Sequence, residues 1–277
     1  IFFVVYPWIG LPAFGAVVAA FALLYSRSRA LFRRAIRLYR EHWQVFAGIG
    51  IVAIPIGIGF NLLQAFLVTR NPLEYVVEWF DNTAGARLTA VALVGGVQQL
   101  AMLLIISPAV IRAVVDIHRG RPASVARSYR LAAQRSPAIA AAFAIVFVLA
   151  GVPALLLIGL PIAIWLIVRW QFFVQSLVYD REQTGTGALR ESANLVEGRW
   201  WRTLGTVFLF DLLATIPGIL VGFVLLTLGG AAVGLANGAS SLLYALAIPL
   251  AVIAITLMYL DRKAEATPSE DVGDARA

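Results

Sequence analysis

The chain has 277 residues, of which 61% are apolar and only 13% are charged, where a soluble domain carries about half apolar and roughly a quarter charged residues. A water-soluble fold of this length has no interior large enough for so much apolar surface, so the composition excludes an ordinary soluble enzyme and points to a polytopic membrane protein. The lack of cysteine removes disulfides and thiolate metal sites, and the net charge of +7, carried by 21 arginines and one lysine, reads as membrane topology and anionic-lipid contact and not as nucleic-acid binding.

Apolar runs of about 20 residues mark the crossings. Residues 1-25, Ile1 to Tyr25, carry no charge and form an N-terminal transmembrane segment. It has no basic leader and is followed by arginines, which favours a retained helix over a cleaved signal peptide. Residues 26-263 then read as a six-helix membrane domain. Its first part is amphipathic: Phe32, Ile36, Tyr39 and Trp43 make an apolar stripe, and Arg29, Arg33, Arg37 and Arg40 line the opposite face. Val45 to Val68 is the next span. Leu88 to Val115 follows the acidic loop 69–87, with Pro108 expected to bend its end. Arg127 and Arg130 fall in the next basic segment. The run from Pro137 to Tyr179 is too long for one crossing, and Gly151, Pro153, Gly159 and Pro161 divide it into two.

A further amphipathic helix carries Leu189, Ala193, Val196 and Trp200 on its apolar stripe and Arg190, Glu191, Asn194 and Glu197 on its polar face. Thr186 is expected to cap it and Gly198 to turn the chain. Thr203 to Leu228 and Ala239 to Leu260 complete the spans, and residues 264-277 read as a disordered cytoplasmic tail. The expected fold is all-α: a polytopic transmembrane helical bundle of six core helices as three hairpins, an N-terminal extra helix, and amphipathic interfacial helices.

Segments 26–44, 112–136, 169–202 and 261–277 hold 20 of the 22 basic residues and alternate with non-basic loops. The positive-inside rule therefore puts the Arg-rich segments and the C-terminus on the cytoplasmic side, and the heavy use of Arg and Ala hints at a bacterial source, hence a plasma (inner) membrane. The amphipathic helices also suggest internal repeats at 28-120, 121-183 and 184-263, because Ser192, Arg199 and Pro217 align with Ser128, Arg135 and Pro153.

Two charges fall at membrane depth, Arg169 and Asp211. They are expected to pair, or both to face a wet cavity; otherwise Asp211 is protonated or Arg169 snorkels. Gln171 and Gln175 share a helix face and read as interhelical hydrogen-bonding groups or as part of a polar path. Arg33, Arg37, Arg40, Trp43, Arg127, Arg130, Arg199, Trp200, Trp201 and Arg202 are candidates for the headgroup interface. No catalytic constellation, metal site or cofactor motif is found: His42 and His118 both lie in basic linkers.

The segments "AIRLYREHWQVFAGI", "DIHRGRPASVARSYRLAAQR", "VRWQFFVQSLVYDREQTGTGALRESANLVEGRWWRTLG" and "LAIPLAVIAITLMYLDRKAE" resemble the bacterial membrane domain found with glycerophosphoryl diester phosphodiesterases and its stand-alone relatives. The resemblance covers about Arg29 to Glu265 and implies a six-helix inner-membrane domain. The paired histidines and acidic residues of that family's catalytic barrel have no counterpart here, so it does not imply the hydrolytic activity. The expectation is a non-enzymatic membrane scaffold that binds anionic inner-leaflet lipids or a protein partner. The alternatives are a transporter or lipid-handling protein with a midplane polar cavity, or the anchor of a phosphodiesterase encoded nearby or upstream.

Overall fold

The computed structural model describes residues 7–70, 104–155, 159–180, 182–227 and 233–266, and these residues form helices joined by short turns, with no strand among them. In chain order they are α1 (Pro7–Glu41), α2 (Trp43–Ile51), α3 (Ala53–Arg70), α4 (104–118), α5 (Val125–Ala133), α6 (Ser136–Val146), α7 (Val152–Leu155), α8 (Leu160–Arg169), α9 (Phe173–Tyr179), α10 (Gly185–Val196), α11 (Trp200–Thr227) and α12 (Val233–Ala266). A π-helical turn, Phe147–Gly151, joins α6 to α7.

Four stretches are long and apolar enough to cross a membrane: Trp43–Phe60, Leu160–Tyr179, Trp200–Leu225 and Gly238–Ala266. A fifth is formed if α5 and Ser136–Gly151, bent by 62° at their junction, count as one broken span. These match the crossings expected at Val45–Val68, in the two halves of Pro137–Tyr179, at Thr203–Leu228 and at Ala239–Leu260. The acidic loop, most of the Leu88–Val115 span and the tail beyond Ala266 lie outside the described residues. The boundary expected between residues 25 and 26 falls inside α1, which runs 35 residues without a break. From Ala16 to Glu41 the sequence holds neither Gly nor Pro, so nothing interrupts the helix where the apolar segment becomes arginine-rich.

The surfaces of these helices carry the membrane signature. Phe208, Ile219, Leu220 and Phe223 of α11 and Ile162, Ile164 and Ile167 of α8 are exposed, an outward apolar face suited to lipid and unsuited to water. Helix α4 is the opposite case. Residues 106–116 are buried without interruption, so the middle of α4 is enclosed on every side, as a helix at the centre of a bundle must be.

α11 and α12 share the most extensive interface, and the N-terminal helices pack on α12. An added Cβ at Gly50 would stand 2.2 Å from the Ala245 carbonyl oxygen, so α2 and α12 meet backbone to backbone. The Tyr39 hydroxyl donates to the Leu246 carbonyl at 3.1 Å, and the Tyr129 hydroxyl to the Ile49 carbonyl at 2.9 Å. These bonds lock α1 to α12 and α5 to α2, and so fix the frame in which the arginine-rich ends converge.

Candidate functional site

The structure does not bring Arg169 and Asp211 together. The Arg169 guanidinium stacks on the Trp165 ring at 4.9 Å, and Asp211 is exposed on α11 with no ion-pair partner among the described residues. The chain breaks at Trp170–Phe172, between α8 and α9. The same break puts Gln171 and Gln175 on the wall of one apolar cavity.

The interfacial residues divide into two groups. On α1, Arg33, Arg37 and Arg40 are exposed beside Tyr25 and Phe32, and Trp43 is 58% exposed. Arg130 is exposed too, but Arg127 faces Asp116 at 3.7 Å. Asp116 is fully buried and takes two hydrogen bonds from Arg112, of 2.8 and 3.3 Å. Arg127 is therefore drawn toward a buried carboxylate in the core, away from the role of a headgroup contact. Removing Asp116 would leave Arg112 buried and without its acid.

The second group gathers at the arginine-rich ends of α1, α11 and α12. Here a cleft of ≈ 220 Å³ is lined by Arg34, Arg199, Arg202 and Arg262 together with Asp261 and Glu265. Arg34 grips Asp261 through two parallel hydrogen bonds of 2.7 and 3.0 Å, and this carboxylate holds the Arg34 guanidinium above its ordinary pKa. Arg199 pairs with Glu265. Arg262 is buried, donates to the Leu195 carbonyl at 3.1 Å and the Thr203 hydroxyl at 2.8 Å, and lies over the Phe172 ring at 5.2 Å. Both of its hydrogen-bond partners are neutral. Among the described residues neither Arg202 nor Arg262 has a carboxylate within ion-pair distance, so the cleft keeps two guanidinium charges without acids of their own.

Local sequence explains how this cleft is held. Gly198 adopts φ +70, the left-handed turn that glycine takes without strain, and it sends the chain from α10 into α11. The Thr184 hydroxyl accepts from the Gly187 N–H at 3.1 Å and caps α10; Thr186, the expected cap, lies inside the helix. Thr184 is extended and so can fold its oxygen back over the first turn. Leu189, Ala193 and Val196, the stripe expected at the headgroup boundary, are instead buried within the protein. The Trp200 indole N–H donates to the Trp165 carbonyl at 3.2 Å, and Trp201 is 78% exposed beside it. This aromatic pair suits the level of a membrane interface.

Glu191 departs from expectation. Helical spacing puts it on the polar face of α10, but it is turned inward, where its two oxygens join four groups. Tyr259 and Lys263 donate to one oxygen at 3.0 and 2.7 Å, and Ser176 and Gln183 to the other at 2.6 and 2.8 Å. Burial pushes its carboxyl up, yet the bonds from Lys263, Ser176 and Gln183 and the lysine charge outweigh that and hold it below the ordinary carboxylate range. Lys263 also lies over the Tyr179 ring at 4.8 Å, and Arg119 over the same ring at 4.5 Å. The node ties α9 and α10 to α12 directly behind the arginine cleft. The sequence held no signal for it: at 3.6 residues per turn Glu191 lies opposite the apolar stripe of Leu189, Ala193 and Val196.

Among the described residues, no three His, Cys, Asp or Glu side chains converge on a position suited to a metal ion. His42 marks the break between α1 and α2, with its Nδ1 buried and unpartnered. Compared with protein-family models, curated proteins and solved structures, the chain matches none.

Proposed function

We propose that this chain is a non-enzymatic membrane scaffold that holds anionic phospholipid headgroups at the inner leaflet of a bacterial plasma membrane. The observation that carries this reading is the arginine cleft, where Arg202 and Arg262 lack carboxylate partners beside the acid-bound Arg34 and Arg199. A phosphodiester is the matching ligand. It carries one negative charge and planar oxygen pairs that guanidinium forks bind with directional hydrogen bonds. The N-terminus of α11, beginning at Trp200, adds the positive end of a helix dipole to the same place. Exposed Arg33, Arg37 and Arg40 extend the basic surface along α1. The sequence resemblance to a phosphodiesterase-associated membrane domain fits this reading and is not needed for it.

The test is lipid retention by the purified full chain, read by native mass spectrometry with phosphatidylglycerol and phosphatidylcholine in competition. Wild type should favour phosphatidylglycerol. Arg202→Gln should lower that preference about fivefold, since one arginine near an anionic surface contributes about 1 kcal/mol. Equal retention of the two lipids by wild type would refute the proposal. Displacement of phosphatidylglycerol by inorganic phosphate would reassign the cleft to a soluble anion.

A further inference from the structure

A second cavity, of ≈ 360 Å³, lies between α4, α6 with its π-helical turn, α8, α9 and α12. Its size is within the range of small-ligand pockets. No charged side chain lines it, and most of its wall is apolar, including Phe143, Phe147 and Ile167. Three polar side chains interrupt that wall: Ser107, Gln171 and Gln175. Gln175 is only 5% exposed, and among the described residues its buried Oε1 has no hydrogen-bond partner. A buried amide oxygen left unpaired is costly and is rarely kept without a reason.

Two further features bear on how this acceptor is reached. The π-helical turn Phe147–Gly151 forms part of the cavity wall through Phe147, Ala150 and Gly151, and such turns often mark functional sites. Phe147 is 59% and Ile167 50% exposed on the outer apolar surface. The mouth of the cavity therefore faces sideways, where lipid surrounds a membrane helix, and not toward the arginine cleft.

We propose that this cavity binds a neutral single-chain amphiphile whose polar end carries a hydroxyl or amide donor, which hydrogen-bonds to Gln175. The apolar wall takes the chain, Gln175 takes the donor, and the lack of any lining charge rejects an ionised headgroup. The cavity and the arginine cleft share no residue, so either assignment can fail without the other.

The test uses the full chain in phosphatidylcholine nanodiscs, with thermal unfolding as the readout and two probes of identical acyl chain: monooleoylglycerol, which has hydroxyl donors, and methyl oleate, which has none. Monooleoylglycerol should raise the unfolding midpoint by about 3 °C at saturation, and methyl oleate should leave it unchanged. Gln175→Leu should fold and lose that response. Ala150→Leu, which narrows the cavity but keeps the amide, should lose it as well, so a folding failure in one variant leaves the other decisive. The proposal is overturned if both probes shift wild type equally, if neither does, or if the folded variants respond as wild type does.

Discussion

The α5–α6 and α10–α11 regions share a layout but use it differently. Each begins with a hydroxyl cap, Ser124 in one and Thr184 in the other. Each short helix buries a serine, Ser128 or Ser192, and each following helix is preceded by an arginine, Arg135 or Arg199. Arg135 donates to the Leu177, Asp180 and Gln183 carbonyls, so its hydrogen-bonding capacity goes into holding the α9–α10 connection. Arg199 pairs with exposed Glu265 beside Arg202 and Arg262. Ser192 shows the same divergence, accepting from the Phe172 N–H and donating to the Arg169 carbonyl, while the Ser128 hydroxyl has no partner among the described residues. One arrangement of residue types thus closes the fold in the first region and leaves cationic surface in the second.

The largest effect should come from Arg135→Gln. It removes charged hydrogen bonds to three carbonyls and should cost about 3 kcal/mol in detergent unfolding without altering lipid preference. A loss of lipid preference at unchanged stability would reverse the roles assigned to the two arginines.

Glu191→Gln comes next, at about 2 kcal/mol, because it removes the ion pair with Lys263 and turns one accepting oxygen into an NH2 donor, so the hydrogen bonds to that oxygen must reverse or break. The pH dependence sharpens this. The folded-state carboxyl is depressed, so its contribution is complete above the unfolded pKa and is lost as pH falls through the lower folded value. Wild type should therefore lose this increment of stability below the ordinary carboxylate range, about pH 4.3. Glu191→Gln should show no such loss, and identical acid profiles for the two proteins would remove Glu191 from the node.

The two caps should behave alike. Ser124→Ala and Thr184→Ala are each expected to cost about 1 kcal/mol, and a large difference between them would break the parallel at its first element. The smallest stability effect belongs to Arg199→Gln, which breaks only an exposed ion pair. Its consequence should appear instead as weaker retention of phosphatidylglycerol.

Much of the architecture was legible in the sequence because its causes are local. Apolar runs gave the spans at Thr203–Leu228 and Ala239–Leu260, helical spacing gave the apolar stripe of Leu189, Ala193 and Val196, and Gly198 marked a turn only glycine makes freely. The site was less legible because its causes are distant. Glu191 meets Lys263 across 72 residues, and neither neighbourhood alone shows that the carboxylate turns inward. Arg34 and Asp261 are separated by 227 residues, so the cleft exists only once α1 lies against α12. Arg169 lies over Trp165 and not beside Asp211, a choice of partner that spacing along the chain does not reveal. Arg112 read as part of a basic loop, whereas Asp116, one helical turn later, supplies the partner that lets it enter the core.

The most direct test of the central claim is an experimental density map of the wild-type chain in nanodiscs containing phosphatidylglycerol. Headgroup density should lie in the cleft within hydrogen-bonding distance of Arg202 and Arg262, and it should vanish in phosphatidylcholine alone. A cleft that stays empty in both lipids, with Arg202 turned out to solvent, would contradict the account.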